Sequence, residues 1–205
     1  MHKGVILLIK TSDKDEAKDK VQEFMVQYGD GDVWDWYVIG GRWSGTLNSK
    51  TKEFFEKAEA HFKATYPERE NEFISTDMVK EQADTLNTIW SEIGGEGSNP
   101  YTRNSYNDFG YDDDALPLSE CIDVVNEWKK DVGVEAETAW NKMLEAKTIE
   151  GHDMSSYYAR QYADFKNDVF CFDTNVFDTE NYTNNPTQAI GEADQYFAVM
   201  VDMHN

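Results

Sequence analysis

The chain has 205 residues, of which 40 are acidic and 19 basic, so its formal net charge at pH 7 is -21. Nucleic acids and anionic membrane surfaces are bound through lysine and arginine, so this balance disfavours both as direct partners. Aromatic residues make up 14% of the chain, which argues against wholesale disorder despite a mean hydropathy of -0.72. The acidity is typical of a soluble surface, of adaptation to a saline setting, or of a face that imitates nucleic acid and blocks a basic groove on a partner.

The first predicted element is a strand, because Gly4 to Lys10 is a continuous apolar and β-branched run. The run is too short for the core of a signal peptide or for a membrane span, so we expect a cytoplasmic protein. Thr11 then offers a helix N-cap, and apolar residues recur at helical spacing as far as Tyr28. This pattern predicts an amphipathic helix directly after the strand.

An aromatic stretch, Trp34 to Gly45, predicts a β-hairpin. Gly40 and Gly41 lie between two strand-like runs. A two-residue type I′ turn needs a positive φ at both positions, and glycine adopts that conformation without steric cost. The hairpin would place Arg42 at the start of the return strand.

Arg42 is the candidate ligand-binding residue of this hairpin, with Tyr37 and Trp43 as its aromatic neighbours. A guanidinium at this place could hold an anion in a bidentate contact or stack on an indole ring. It could equally form a structural ion pair with Asp35 or with another of the many carboxylates. The sequence leaves both interpretations open.

Two segments of the chain, Asp35–Trp43 (DWYVIGGRW) and Val199–His204 (VMVDMH), resemble those of uncharacterised phage and actinobacterial proteins. Those proteins carry a DWYxIGGRW-like segment after an N-terminal strand and helix, and they end in a strand reading roughly VVDxH. The resemblance implies a phage-like origin and a pairing of the two end segments. It brings no established activity, and it does not extend to the middle of the chain.

Two further strands are predicted towards the C-terminus, at Asp168–Asp173 and Tyr196–His204. Apolar stripes at helical spacing predict helices around residues 54–66, 76–93, 119–128, 140–144 and 157–165. The predicted fold class is α+β, with a ferredoxin-like β-α-β-β-α-β antiparallel sheet in a single domain, 1–205. In this prediction the sheet core comprises 1–48 and 166–205, and 49–165 is a large, mostly helical insertion.

The densest group of carboxylates, Asp108 and Asp112, Asp113 and Asp114, lies with Tyr111 near the end of a long predicted loop. A connection of this length is typical of a functional or a disordered segment. Carboxylate oxygens could bind Mg²⁺ or Ca²⁺, but consecutive acids cannot all face one ion without a special backbone. The other interpretations are a solvated acidic loop and a partner-binding surface anchored by the aromatic ring.

The motifs of the chain predict no cofactor and no metal site. Cys121 and Cys171 belong to no CxxC pair and no Cys/His cluster, so we expect free thiols and no zinc. The sequence also has no G-x-S-x-G elbow, no P-loop and no Rossmann fingerprint. These absences disfavour ATP-driven and redox enzymes.

The last predicted strand contains Asp202 and His204, which the strand period places on one face. A carboxylate beside an imidazole can orient and charge the ring for acid–base catalysis. The alternative interpretation is a frayed chain end whose charges lie in water.

Two functions fit these observations. The first is a phage-type accessory protein that acts by binding, as an acidic antagonist of a host or defence protein with a basic surface, and its interface would be the acidic loop. The second is a small phosphate- or nucleotide-binding enzyme, with Arg42 on the phosphate, His204 as the acid or base and Asp202 as its orienting group. The first function needs the insertion and the second needs the two end segments, so the location of the site discriminates between them.

Overall fold

The computed structural model describes residues 2–28, 36–69, 74–103, 111–130, 148–149, 152–153, 176–183 and 185–204. Its strands are β1 (His2–Lys10), β2 (Trp36–Ile39), β3 (Ala115–Pro117), β4 (Thr148–Ile149), β5 (His152–Asp153), β6 (Val176–Asp178) and β7 (Tyr196–His204). Its helices are α1 (Lys14–Tyr28), α2 (Ser49–Thr65), α3 (Thr76–Glu81), α4 (Ala83–Glu92), α5 (118–130) and α6 (Thr187–Gly191). Short 3₁₀ turns cover Gly41–Trp43, Pro67–Arg69, Asp112–Asp114 and Ala193–Gln195.

The centre of the fold is the antiparallel pair of β1 and β7, which confirms the predicted first and last strands. The two strands pair over their whole length, with His2 opposite His204 and Lys10 opposite Tyr196. β6 runs parallel to β1 on its other edge, while β2 and β3 both pair antiparallel with the other edge of β7. The order is therefore β2–β7–β1–β6, with β3 added beside β7.

Helices cover both faces of this sheet. On one face, alternate residues of β1 and β7 pack against Val21 and Met25 of α1. On the other face, the intervening residues pack against Leu118 and Val125 of α5 and Ala189 of α6. Because both faces are covered, β1 and β7 are apolar without alternation, which is the pattern that predicts buried strands.

Helices α2, α3 and α4 form an apolar cluster of their own. Phe54 and Phe62 of α2 pack against Met78 of α3 and Trp90 of α4. The helices predicted around residues 54–66 and 76–93 are therefore confirmed, with a break between α3 and α4. Within the described ranges, no helix is both long and apolar enough to cross a membrane.

The α+β class is confirmed, but the ferredoxin-like order is not observed. β6 is parallel to β1, so the sheet is mixed and not antiparallel. The predicted hairpin is wrong, because β2 pairs with β7 and Gly41–Trp43 form a 3₁₀ turn where the sequence predicts a return strand. Gly40 has φ 79° and ψ -77°, which turns the chain out of the sheet and does not fit a type I′ turn.

The sheet edge beside β7 is built from two separate segments. β2 ends opposite Val201, and β3 begins opposite Val199. Between them, the N–H of Gly40 donates to the carbonyl of Met200 at 2.8 Å. β2, Gly40 and β3 therefore form one continuous edge along β7, although residues 41–114 separate Gly40 from β3 in the sequence.

Some predicted elements lie outside the described residues, namely the strand at Asp168–Asp173 and the helices around 140–144 and 157–165. The described strand on the β1 edge is β6, which begins at Val176. The short β3 belongs to the segment that the sequence predicts as mostly helical. It completes the edge of the sheet, so this insertion also contributes to the sheet core.

Candidate functional site

A short part of the aromatic motif, Gly40 to Gly45, lies between two buried aspartates, and we call it the glycine segment. Asp202 of β7 lies on one side of this segment, and Asp114, which precedes β3, lies on the other. Neither aspartate is exposed to solvent. Both carboxylates accept hydrogen bonds from backbone N–H groups of the segment and so hold it in place.

Asp202 links the glycine segment to the first strand. Its Oδ2 accepts from the N–H of Arg42 at 3.1 Å, and its Oδ1 lies 2.9 Å from Nδ1 of His2. The register of the central strands brings His2 here, since it sets this residue opposite His204. An ionised carboxylate can only accept, so ionised Asp202 makes Nδ1 of His2 the donor.

Three rings lie together at this end of the sheet. The ring centroid of His2 is 4.9 Å from that of His204 and 5.5 Å from that of Trp36, with edge-on geometry in both pairs. We call His2, Trp36, Asp202 and His204 the sheet-end cluster. The side chain of His2 is 22% exposed, so an imidazole held by a buried carboxylate also reaches solvent. Such a pair is suited to transferring a proton to or from a bound molecule.

Asp114 holds the other end of the glycine segment. Its oxygens accept from the N–H of Gly45 at 2.6 Å, the hydroxyl of Ser44 at 2.9 Å and the N–H of Tyr111 at 2.9 Å. Burial raises the pKa of this carboxyl above its ordinary value, and the three hydrogen bonds oppose that rise. Because these partners all donate and belong to the chain itself, Asp114 closes the turn and has a structural role.

The two glycines of the motif are required by these carboxylates. Gly40 and Gly41 have positive φ values of 79° and 55°. A Cβ at Gly40 would collide with the carboxylate of Asp114, and a Cβ at Gly41 would collide with the side chain of Asp202. The Gly-Gly pair therefore lets two buried acids approach the backbone, which differs from the hairpin turn that its sequence predicts.

The three residues predicted to bind a ligand on the hairpin are separated in the structure. Trp43 packs on Gly4, where a Cβ would lie 2.7 Å from the indole, and it joins the apolar cluster on the α5 face. Tyr37 packs against the cluster on the α1 face, and burial raises the pKa of its hydroxyl. Arg42 has an exposed side chain. Tyr37 and Trp43 therefore lie on opposite faces of the sheet, which corrects the expectation of one aromatic site around Arg42.

The predicted acidic surface is mostly used inside the fold. Asp113 makes two contacts of 2.8 Å with the guanidinium of Arg103, and its side chain is 15% exposed. Asp114 is buried, whereas the side chain of Asp112 is 92% exposed. Asp108 lies outside the described residues. Asp113 and Asp114 therefore fit neither a solvated acidic loop nor an exposed partner-binding surface, because an arginine and three hydrogen-bond donors bind them.

Comparison of the chain with protein-family models, with curated proteins and with solved structures finds no match. Function is therefore inferred from the residues of this chain. In the part of the chain that the structure describes, no group of three or more His, Cys, Asp or Glu side chains is arranged to hold a metal ion.

Sequence reasoning identifies Arg42, Asp202 and His204 but misses His2. The structure brings Asp202, His204 and the backbone of Arg42 to one end of the sheet, and it adds His2 as the ring that Asp202 contacts. The signal that could have identified His2 is the pairing of the two end segments, which the resemblance implies. Antiparallel pairing along the whole length of both strands places a residue at the start of β1 beside the end of β7.

Proposed function

We propose that the protein acts by binding, as a phage-type acidic antagonist of a host or defence protein with a basic surface. The observation that carries this proposal is the uneven distribution of charge along the chain. Residues 1–69 have 12 acidic and 11 basic side chains, whereas residues 70–205 have 28 acidic and 8 basic ones. Such an excess creates a strong field of one sign around that part of the chain, which accelerates association with a basic partner.

Helices α3 and α4 carry an acidic surface that is open to solvent. Asp77 and Glu81 of α3 and Asp84 and Glu92 of α4 are exposed, and the hydroxyl of Tyr66 donates to Glu81 at 2.8 Å. We call these four residues the acidic stripe. The apolar side of the same helices is buried against α2. The acidic stripe replaces the loop at 112–114 as the proposed interface, because its carboxylates reach solvent.

Neutralising variants test this interface while keeping side-chain size. The stripe variant replaces three exposed acids of α3 and α4: Asp77→Asn, Glu81→Gln and Asp84→Asn. The control variant replaces three exposed acids of α2, in the part of the chain whose charges nearly balance: Glu53→Gln, Glu56→Gln and Glu59→Gln. Both remove the same amount of negative charge, so they separate a local surface from net charge.

The wild type and both variants would be immobilised, and proteins captured from a bacterial lysate at low and high salt would be identified by mass spectrometry. We expect a basic partner whose capture decreases with salt, because exposed charges are screened. Its affinity should fall about tenfold for the stripe variant and less than about twofold for the control. The proposal fails if no basic protein is captured in a salt-dependent way, or if both variants lose affinity equally.

A second candidate function is favoured by the convergence of residues at the sheet-end cluster. The N–H of Arg42 donates to Asp202 there, and the ring of His204 lies against His2, so Arg42, Asp202 and His204 come together from the two segments that carry the resemblance. We therefore also propose a small phosphate- or nucleotide-binding enzyme, in which Arg42 contacts the phosphate and His204 or His2 transfers the proton. Asp202 would orient His2, which is the ring it contacts.

Histidine variants test this second candidate. His2→Gln and His204→Gln remove the two rings of the cluster. His61→Gln is the control, because His61 lies on α2, where its Nε2 is 2.8 Å from Gln82. Products from a panel of nucleotides would be measured by chromatography. We expect turnover that each cluster variant lowers by about tenfold or more and that the control retains. Equal turnover in all four proteins, or none in the wild type, would rule this enzyme out.

A further inference from the structure

A cavity of about 430 Å³ lies between four parts of the chain: the start of α1, the turn into α2, the loop after α4 and the 3₁₀ turn before β3. We call it the interhelix cleft. Its volume is within the range of small-molecule sites. No residue of the sheet-end cluster lines it, so it is a separate place on the molecule.

One wall of the interhelix cleft is rigid because Arg103 is held from several sides. Its guanidinium makes two contacts of 2.8 Å with Asp113 and lies over the rings of Trp90, at 5.6 Å, and Tyr111, at 4.9 Å. Its side chain is 3% exposed. Asp113 therefore neutralises this buried arginine, and Arg103 shapes the wall while the aromatic rings give the cleft an apolar side.

Two other cations of the cleft are less completely neutralised than Arg103. Lys50 donates to the carbonyl of Gly94 at 2.6 Å and forms no ion pair with a described carboxylate. The ammonium of Lys14 is 3.9 Å from Asp112, whose side chain is 92% exposed. The chain has 40 acidic residues for 19 basic ones, so carboxylate partners are plentiful. Two ammonium groups that are not fully neutralised therefore lie beside one cavity, where they can attract an anion.

The loop after α4 adds open backbone to the same cavity. Gly97 has a φ of 65°, and a Cβ placed there would meet no atom within 4 Å. The N–H groups of Glu96, Gly97 and Ser98 donate to no acceptor among the described residues. Successive N–H groups without acceptors are suited to binding the oxygens of an anion.

We propose that the interhelix cleft binds a small molecule that carries a phosphate group. Lys14 and Lys50 bind the phosphate oxygens, and the remainder of the ligand fills the cavity beside Tyr111. Glu96 and Asp112 also line the cleft and are exposed, so they weaken its affinity for an anion without filling it. This site is independent of the acidic stripe and adds a ligand to a protein proposed to act by binding.

Calorimetric titration of the full chain tests the proposal with three probes: inorganic phosphate, adenosine monophosphate and glucose 6-phosphate. The cleft variant combines Lys14→Gln and Lys50→Gln. The control variant combines Lys18→Gln and Lys52→Gln, which lie on the same two helices and do not line the cleft. A third variant, Asp112→Asn, removes the acid nearest to Lys14. The three probes distinguish free phosphate, a nucleotide and a sugar phosphate as the source of the group.

At least one probe should bind the wild type, with an affinity that falls about tenfold in the cleft variant and less than about twofold in the control. Asp112→Asn should strengthen binding by about twofold or more. The proposal is overturned if no probe binds at millimolar concentration or if the control weakens binding as much as the cleft variant. Binding lost in His204→Gln but kept in the cleft variant would move the phosphate to the sheet-end cluster and would also overturn it.

Discussion

Asp114 and Asp202 have the same side chain and the same burial, but the fold uses them differently. Neither is exposed, and both lie against the glycine segment. The hydrogen bonds to Asp114 come from two backbone N–H groups, which can only donate, and from the hydroxyl of Ser44. Asp202 accepts from one backbone N–H, and its other oxygen faces an imidazole nitrogen, which donates to the ionised carboxylate but would accept from an amide after a change of tautomer. The chemistry of the partner, and not burial, therefore separates a structural carboxylate from one that belongs to a candidate site.

The two aspartates also lead to different parts of the molecule. Asp114 follows Asp113 in the chain, and Asp113 holds the arginine that forms a wall of the interhelix cleft. Asp202 contacts His2 and belongs to the sheet-end cluster. The glycine segment lies between both, so a change within it should disturb both candidate sites, whereas a change at one aspartate should disturb mainly its own side.

The largest effect is expected from alanine in the glycine segment itself. Gly40→Ala would place a Cβ against the carboxylate of Asp114 at a φ of 79°. Strain and overpacking together should lower the free energy of unfolding by about 3 kcal/mol or more. Gly97→Ala is the control: its φ of 65° is also positive, but its Cβ would meet nothing within 4 Å, so about 1 kcal/mol is expected. Urea unfolding measures both, and equal losses would contradict the role given to Asp114.

Asp114→Asn should cost about 2 kcal/mol of unfolding free energy. Each oxygen of Asp114 accepts a backbone N–H, one from Gly45 and the other from Tyr111. An asparagine must therefore turn its amide group towards one of these donors and leave it unpaired. Urea unfolding of the variant checks this, and a loss no larger than that of an exposed control such as Asp112→Asn would show that the three hydrogen bonds contribute little.

The pH dependence of stability should differ between the wild type and Asp114→Asn. Burial raises the folded-state pKa of Asp114. A carboxyl with a raised folded-state pKa stabilises the protein fully below its unfolded pKa and loses that contribution as pH rises through the folded value. The stability advantage of the wild type should therefore shrink as pH rises above about 4, the ordinary pKa of an aspartate in the unfolded chain, and should become constant once Asp114 is ionised in the folded protein. Unfolding midpoints across this range measure it, and an advantage that grows with pH has the wrong sign.

A smaller loss, about 1 kcal/mol, is expected for Asp202→Asn. The amide oxygen of asparagine can still accept from Arg42, and its amide nitrogen can donate to His2 if the imidazole changes tautomer. The same substitution should therefore be tolerated better at Asp202 than at Asp114. Calorimetry of the two single variants tests this order directly, and the reverse order would remove the distinction between fixed and adaptable partners.

The last prediction concerns a third buried group, Cys121, and it is measured as the reactivity of the thiol and not as a loss of stability. Cys121 is buried under the sheet, and this burial raises the pKa of its thiol to about 12. In a Cys171→Ser background at about pH 8, the native protein should react with a disulfide reagent about a thousandfold more slowly than the urea-unfolded chain, because so little thiolate is present. Without the disulfide reagent, the assay conditions should leave the stability of the protein unchanged. Reaction at the unfolded rate would mean that this face of the sheet opens.

The central strands and the first helix could be predicted because their patterns are local. Val5–Ile9 and Phe197–Val201 are apolar without a break, and short runs of this kind that are rich in β-branched residues favour strands buried on both faces. The helix that begins at Lys14 has charges and apolar residues at its own period. These elements depend little on what the rest of the chain does.

The glycine segment and the acidic residues could not be predicted because tertiary contacts decide them. A Gly-Gly pair between aromatic runs has the same sequence whether it forms a hairpin or faces two carboxylates. Asp114 belongs to a run of three acids, which normally lies in water, and only the folded donors around it explain its burial. His2 was missed because residues near a chain end are usually frayed, whereas here β1 is the centre of the sheet.

The position of β7 has a consequence for synthesis. Among the strands that the structure describes, only β7 pairs with β1 over its full length, and His2 and Asp202, which are in contact, are 200 positions apart. While the intervening chain is being synthesised, the apolar strand β1 lacks this partner. Contacts between residues so far apart in the sequence also form slowly. Chaperones that shield exposed strands should therefore associate with the nascent chain until Tyr196–His204 has emerged, and a chain stopped before β7 should aggregate.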